Sequence, residues 1–237
     1  MVKNKKVVAI IPVRGGSKGI PRKNLYRLDG KDTLLERTIK QGLSCPSIDR
    51  VIVSTDDEEM DAIAQQYKVN APSLRPALLS NDRALTVDVI LHLIAECAIE
   101  DSYICLLQTT APLRTLEDLN GMFKVFAENA VDADSIVSLT AHDDPHPNKI
   151  QKIENGFVSS YLGGESMVPR QQLPKVYRLN GAFYMTHQKN LVMGRSFFTG
   201  KTLPYILPKE RSVNLDTMMD LYLLESMVDK GIIAINI

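Results

Sequence analysis

The sequence has no net charge and no long apolar run, and each absence excludes a class of partner. Lys and Arg total 28, as do Asp and Glu, which leaves a formal net charge of +0. Such a balance lacks the basic field that attracts nucleic acid. No segment approaches the length of a membrane span, and the apolar run after the basic start at residues 1–6 is too short for a signal peptide. We therefore expect a cytoplasmic protein that binds neither nucleic acid nor membrane.

Cysteine is also scarce. Cys45, Cys97 and Cys105 are odd in number and lack the spacing of a metal or redox motif. Cys105 lies in an apolar run that is typical of a buried strand. We interpret the three as buried free thiols, which a reducing cytoplasm preserves.

The chain has 237 residues, of which 44% are hydrophobic and 24% charged, as in an ordinary soluble enzyme. This length suits one domain, alone or with a modest insertion. We find no internal repeat and no low-complexity segment. We therefore treat residues 1–237 as a single domain.

Strands and helices are predicted to alternate along most of the chain. Continuous apolar runs at 7–11, 51–55, 103–107 and 135–139 predict buried strands. Apolar residues at helical spacing predict helices near 35–43, 60–67, 87–98, 119–126 and 217–229. This alternation indicates an α/β fold with a mostly parallel sheet that is covered on both faces.

The regular alternation breaks down between residues 142 and 201. Prolines 145, 147, 169 and 174 and the pair Gly163-Gly164 interrupt short runs there. An excursion from the sheet therefore fits this segment better than another strand and helix.

A basic, glycine-rich loop follows the first predicted strand. Its cations are Arg14, Lys18 and Lys23, and its glycines include the pair Gly15-Gly16. Glycines allow backbone N–H groups to approach anionic oxygens, and the cations supply charge-assisted donors for a triphosphate. The alternative is a solvated turn between a strand and a helix. The spacing excludes both a P-loop and a dinucleotide-binding fingerprint.

The second polar segment follows the strand at 103–107. Gln108 and Thr110 fall at its carboxyl end, which is where open α/β sheets bind ligands. The alternative is a helix entry that Pro112 positions. The segment ends at Arg114.

Two later segments are ambiguous on residue type alone. The run 169–174 with Asn180-Gly181-Ala182-Phe183-Tyr184 reads as a loop and a strand, with Arg170 in solvent. Asp216, just before the last helix, is equally a candidate N-cap or a ligand. His142 and His146 have a metal-like spacing, but Pro145 between them argues against a helical metal site.

Taken in order, these four motifs resemble the CMP-N-acylneuraminate synthetases, the acylneuraminate cytidylyltransferases that include sialic, legionaminic and pseudaminic acid enzymes. The loop from Arg14 to Asn24, the run Gln108 to Arg114, and the Arg-Gln-Gln-Leu-Pro and Asn-Gly-Ala-x-Tyr elements match family motifs. Arg75-Pro76 with Ser80 and Asp82 matches another segment. The resemblance spans residues 7 to about 225. The family's Asp-x-Asp before the last helix is Asn214-x-Asp216 here, which puts metal affinity in doubt.

The resemblance implies a Rossmann-like, mostly parallel sheet of nucleotide-diphospho-sugar-transferase type, with 142–201 as a protruding dimerisation and sugar-site segment. It implies a homodimer that uses Mg²⁺ to transfer CMP from CTP to an acidic nine-carbon sugar and releases pyrophosphate. N-acetylneuraminate, legionaminate and pseudaminate remain alternatives for the sugar. A catalytically weak sensor of CTP or of the sugar is an alternative of another class, suggested by Asn214.

The resemblance also implies residue roles. The catalytic residues are Arg14, Lys18, Lys23 and Asp216. The nucleotide is held by Arg14, Ser17, Lys18, Lys23, Asn24 and Arg75. The sugar contacts Gln108, Thr110, Arg170, Tyr184, Phe197 and Phe198, and the metal is held by Asp216 with Asn214.

Overall fold

A computed structural model describes residues 4–28, 30–70, 72–129, 131–165 and 167–233. The first three residues of the basic start lie outside this description. The strands are β1 Val7–Pro12, β2 Arg50–Ser54, β3 Tyr103–Leu107, β4 Ser135–His142, β5 Gln151–Glu154, β6 Phe157–Ser160, β7 Val176–His187 and β8 Thr202–Ile206. The helices are α1 Leu34–Ser44, α2 Glu58–Gln66, α3 Thr86–Glu96, α4 Leu116–Glu128, α5 Gln188–Gly194 and α6 Met218–Asp229.

A six-stranded sheet forms the centre, in the order β2-β1-β3-β7-β4-β8. Strand β7 is antiparallel to both β3 and β4, whereas every other paired neighbour is parallel. The α/β fold with a mostly parallel sheet is therefore confirmed. Its carboxyl edge gathers the residues that follow β1 and β3.

Alternate residues of β1 pack into two separate apolar layers. Ala9 and Ile11 face the layer that contains α1, α2 and α4. Val8 and Ile10 face the layer that contains α3 and α5. Because both faces are covered, the inner strands must be apolar at every position, which explains the continuous runs of the sequence.

Reciprocal capping boxes begin three of the helices. Thr33, Thr115 and Thr217 each form a capping box with the acidic residue three positions later. The alternative interpretation of Asp216 as the N-cap of the last helix is therefore wrong, because Thr217 occupies that position. The side chain of Asp216 is left available for another role.

The excursion is shorter than the predicted segment 142–201. Strand β7 lies in the middle of the main sheet, and α5 packs against the face that also holds α3. What leaves the sheet is the region between β4 and β7, where β5 and β6 form a separate two-stranded hairpin. The sequence predicted a strand around residues 180–184, but neither the full length of β7 nor its place in the main sheet, because Arg178, Asn180 and Gly181 interrupt its apolar pattern.

Among the described residues, no helix has both the length and the apolar character needed to cross a membrane.

Candidate active site

A cleft with a cavity of about 260 Å³ opens beside the carboxyl ends of β1 and β3. It is bounded by the basic loop after β1, by residues 79–86 before and at the start of α3, and by the segment after β3. Seven residues that the sequence singled out line it, namely Arg14, Ser17, Lys23, Asn24, Arg75, Gln108 and Thr110. The fold thus gathers the first two motifs, with Arg75, around one space.

Two cations of the basic loop share one carboxylate. Arg14 Nη1 lies 2.8 Å from one oxygen of Asp82, and Lys18 Nζ lies 2.5 Å from the other. Hydrogen bonds from Lys18 and Arg14 hold the pKa of Asp82 below its ordinary value. Asp82 is an exposed anion in the place where an anionic ligand would meet these cations. Bound phosphate would therefore compete with Asp82 for both of them.

Asn24 ties the basic loop to the end of β3. Its amide nitrogen donates to the backbone oxygen of Arg14 at 3.0 Å, and its amide oxygen accepts from the Thr109 hydroxyl at 2.7 Å. Both Asn24 and Thr109 are buried. The contacts of Asn24 are thus those of a brace that holds the loop in position.

Arg75 braces the same loop from the other side. It donates to the backbone oxygen of Val13 at 2.8 Å and to the Ser80 hydroxyl at 3.1 Å. Burial lowers the pKa of Arg75, and Asp56, 3.7 Å away, partly opposes that effect. The guanidinium therefore links the end of β1 to the segment that carries Asp82, at the wall of the cleft.

An irregularity in β7 explains the Asn-Gly element. Pairing between β4 and β7 shifts register after Val137, and Asn180 fills the gap. Its amide oxygen accepts from the Ala182 N–H at 3.2 Å, and its amide nitrogen donates to Ser212 Oγ at 3.1 Å. A bulge of this kind redirects the backbone beside a functional site.

Gly181 brings three of the motifs together. Its φ of 73° lies in the left-handed region, and a Cβ atom there would lie 2.8 Å from Gln108 Oε1 and 3.2 Å from Asn214 Oδ1. Glycine is therefore required both by the backbone conformation and by the close approach of two side chains. The second, third and fourth motifs meet at this point.

The segment 213–216 lies against the basic loop. Lys23 Nζ donates to the Leu215 oxygen at 2.6 Å and lies 3.5 Å from Asp216 Oδ1. A Cβ on Gly19 would collide with the backbone oxygen of Asp216. Asn214 donates its amide N–H to Asp216, while its buried Oδ1 has no hydrogen-bond partner among the described residues.

Other residues assigned to the sugar lie elsewhere. Arg170 is 3.3 Å from Asp143 and lines a second cavity, together with His142 and His146. Tyr184 packs against Phe197 with a ring-centroid distance of 5.8 Å, whereas Phe198 is half exposed. In the described part of the chain, no three His, Cys, Asp or Glu side chains group as a metal site.

Sequence reasoning missed several residues that organise the site. The sequence analysis identified Asp82 and Arg114 only as parts of matched motifs, and it predicted no role for Thr109 or Asn180. The position of Arg114 at the end of the second motif was the available signal. Its side chain is fully buried and reaches the backbone on two sides of the Gly181 meeting point.

A mostly parallel sheet with a basic cleft at the carboxyl ends of its strands defines a nucleotide-binding α/β protein of the nucleotidyltransferase class. More particularly, the chain belongs to the cytidylyltransferase family, whose sequence model matches residues 8–193.

Relatives with known names agree with this family. The chain is 31% identical over 219 residues to the pseudaminic acid cytidylyltransferase of Campylobacter jejuni, covering 91% of this chain and 93% of that protein. It is 28% identical over 230 residues to the CMP-N,N'-diacetyllegionaminic acid synthase of Legionella pneumophila, covering 94% and 97%. It is 29% identical over 218 residues to the N-acylneuraminate cytidylyltransferase of Streptococcus agalactiae, covering 91% of this chain. The chain spans about half the length of that last relative, 51%.

Solved structures share the fold. A CMP:2-keto-3-deoxy-manno-octonic acid synthetase complexed with CTP superposes with a TM-score of 0.69 at 14% identity, covering 96% of this chain and all of that one. A 4-diphosphocytidyl-2C-methyl-D-erythritol synthase gives a TM-score of 0.66 at 16% identity, covering 95% and 99%. At these identities the likeness shows the fold alone.

Proposed function

We propose that this protein transfers CMP from CTP to a nonulosonic acid and releases pyrophosphate. The observation that carries the proposal is the meeting of the sugar-motif glycine, Gly181, with Gln108 at the edge of a cleft lined by Arg14 and Lys23. Relatives that act on sialic, pseudaminic and legionaminic acids, matched over most of this chain, support the substrate class.

The reaction requires alignment and charge neutralisation more than a protein nucleophile. The anomeric hydroxyl of the sugar attacks the α-phosphorus of CTP in line, and pyrophosphate leaves. Arg14, Lys18 and Lys23 hold the phosphate oxygens and stabilise the charge that develops on them. Before that, Arg14 and Lys18 exchange Asp82 for phosphate. Ser17 adds a hydroxyl donor, and Asn24 and Arg75 support the nucleoside side.

The residues at 214–216 fit a hard divalent cation. Cytidylyltransferases generally use a divalent metal, and we infer Mg²⁺ here. The donor set is an exposed carboxylate on Asp216 and the buried Oδ1 of Asn214, which has no hydrogen-bond partner in the described part of the chain. Oxygen is the ligand that Mg²⁺ prefers. Bound there, the ion would neutralise phosphate charge and favour departure of pyrophosphate. Lys23 orients Asp216 from 3.5 Å.

On the sugar side, Gln108 and Thr110 are proposed to bind polar groups beside Gly181. Tyr184 packs against Phe197, and Phe198, next in sequence, has an exposed aromatic ring; we propose that these aromatic side chains also contact the sugar.

Arg170 requires a second copy of the chain for its proposed role. It precedes β7, and the five residue steps from Val176 to Gly181 span about 17 Å of strand. We infer a homodimer in which the region between β4 and β7 carries the contact. Exposed apolar side chains on the β5–β6 hairpin support this, because Ile153, Phe157 and Val158 are 76%, 78% and 66% exposed. The free cysteines are consistent with a cytoplasmic location for this dimer.

The direct test is pyrophosphate release. The full chain is incubated with CTP, Mg²⁺ and each of N-acetylneuraminate, legionaminate and pseudaminate. We expect release with one of them and formation of the matching CMP-sugar. Calorimetric binding of CTP or sugar without release, at any Mg²⁺ concentration, would instead support the sensor that Asn214 suggested.

A further inference from the structure

Arg114 is a fully buried cation behind the site. Its exposed fraction is 0%, and the hydrogen bonds of its guanidinium all go to uncharged oxygens. Nε and Nη2 donate to Gln41 Oε1 at 3.2 and 2.9 Å. Nη1 donates to the backbone oxygen of Gln108 at 3.2 Å and to that of Ala182. Gln41 returns a hydrogen bond to the Arg114 backbone oxygen.

The two carbonyls belong to two segments that meet at Gly181, the segment after β3 and the bulge of β7, which we call the two walls. Gln108 follows β3, and Ala182 follows Gly181 in the bulge of β7. The Gln108 side chain lies against the Gly181 α-carbon, so a shift of either wall changes where the Gln108 amide points. The planar guanidinium of Arg114 thus sets the distance between the two walls. Gln41, a residue of α1, fixes the orientation of the guanidinium through its hydrogen bonds.

The buried positive charge of Arg114 supports the same role in setting the position of the two walls. Burial lowers the pKa of Arg114 to about 10, partly opposed by Cys105 and Asp118, so the group stays charged at neutral pH. For stability alone, an apolar side chain of similar volume would often serve as well as a buried ion. A cation screened from water, however, projects positive potential toward a site for an anionic substrate.

We propose that Arg114 is a positioning residue for the sugar acid, holding the Gln108 segment and the Asn180-Gly181-Ala182 bulge in register beneath it. This inference rests on the proposed function, because it assigns the sugar side of the cleft to these two walls. The phosphate side, which contains Arg14 and Lys23, has no hydrogen bond to the Arg114 guanidinium in the described structure.

The kinetic test compares KM values for both substrates. In Arg114→Met the KM for the sugar acid should rise about tenfold or more, since two buried carbonyls lose their donor. The KM for CTP should change by less than about threefold. Gln41→Leu should give a smaller shift of the same kind, and it replaces Arg114→Met if that variant does not fold. Parallel changes in both KM values, or none, would overturn the proposal.

Asp118→Asn is the matched control. Asp118 is also buried, lies in the first turn of α4 and pairs with Arg211 at 2.6 Å, but is outside the cleft. Its replacement should lower Tm and leave the ratio of the two KM values unchanged.

Hydrogen exchange separates this proposal from the proposed function. In Arg114→Lys, deuterium uptake should rise in peptides covering 107–111 and 180–184, and in Asp118→Asn it should rise around α4. If the parent releases no pyrophosphate, the proposed function fails while this readout still tests the positioning role. Unchanged uptake at both walls would refute that role whatever the activity.

Discussion

Arg14 offers the residue-scale test that disturbs the fold least. Its side chain is about one-third exposed and its partner is the exposed Asp82. Arg14→Ala should leave Tm nearly unchanged and lower kcat/KM by about thirty- to a thousandfold, because a phosphate contact in a dry site is worth about 2 to 4 kcal/mol. Steady-state kinetics measure this. Arg22→Ala is the control, since Arg22 lies in the same loop but pairs with Asp57 and Glu59. An Arg14→Ala enzyme that kept more than half of the parent kcat/KM would refute the phosphate role.

The Asn214-x-Asp216 pair gives a second residue-scale prediction. Asp216→Ala and Asp216→Ser should both abolish activity without loss of stability, because Asp216 is exposed and does not cap α6. Asn214→Asp should lower the Mg²⁺ concentration for half-maximal rate, since a second anionic oxygen strengthens the site. Mg²⁺ titrations of initial rate measure both effects.

Thr217→Ala is the control for that pair. It removes the true N-cap and should cost about 1 kcal/mol of stability with little change in Mg²⁺ dependence. An active Asp216→Ser enzyme with unchanged Mg²⁺ dependence would contradict the metal assignment.

At the scale of elements, the bulge of β7 connects backbone conformation to substrate binding. Gly181→Ala should destabilise the chain by about 1 to 2 kcal/mol through its positive φ and raise the KM for the sugar by displacing Gln108. Gly231→Ala is the control, because φ there is 65° and a Cβ meets nothing within 4 Å. It should reproduce the stability loss alone. Chemical denaturation and sugar KM together distinguish the two; an equal KM in both variants would count against the role of Gly181.

The docking of α6 provides a pH-dependent prediction. Tyr26 donates a hydrogen bond to Glu225 on α6, which raises the pKa of Tyr26 to about 12. Because the folded pKa exceeds the ordinary value of 10.0, this stabilisation is complete below pH 10 and is lost as the pH rises toward 12. Tyr26→Phe should lose about 1 kcal/mol at neutral pH and show less of the alkaline decline. Urea unfolding at each pH measures the free energy of unfolding. The control is Tyr222→Phe, which changes an exposed tyrosine of α6 and should match the parent at every pH. If Tyr26→Phe lost as much stability at alkaline pH as the parent, this account would be contradicted.

For the whole molecule, the test concerns assembly. Replacing Ile153 and Phe157 on the β5–β6 hairpin by Ser should convert the proposed dimer to a monomer without lowering the Tm of the α/β domain, because both side chains are exposed in one copy. Light scattering measures the mass. The monomer should also show a raised KM for the sugar, because the proposed role of Arg170 requires a second copy of the chain. The control is Met193→Ser, which changes an exposed side chain of α5 and should remain dimeric. A parent chain that is monomeric in solution would refute the proposed dimer.

The sequence alone determined the elements whose signal is local. Continuous apolar runs marked β1 to β4, and helical spacing marked α1 to α4 and α6, because burial on one or two faces is written directly in residue order. The basic, glycine-rich loop after β1 could also be recognised, since its glycines and cations lie within eleven consecutive residues.

Only the tertiary structure decided what depends on distant partners. It placed β7 antiparallel inside the sheet, gave the α6 cap to Thr217, and brought Gly181, Gln108 and Asn214 together across more than a hundred residues of chain. It also revealed the contacts of Arg114, whose partners come from α1, the segment after β3, and β7. These contacts have no local period, because the side chains that make them pack according to strand order and register rather than sequence spacing.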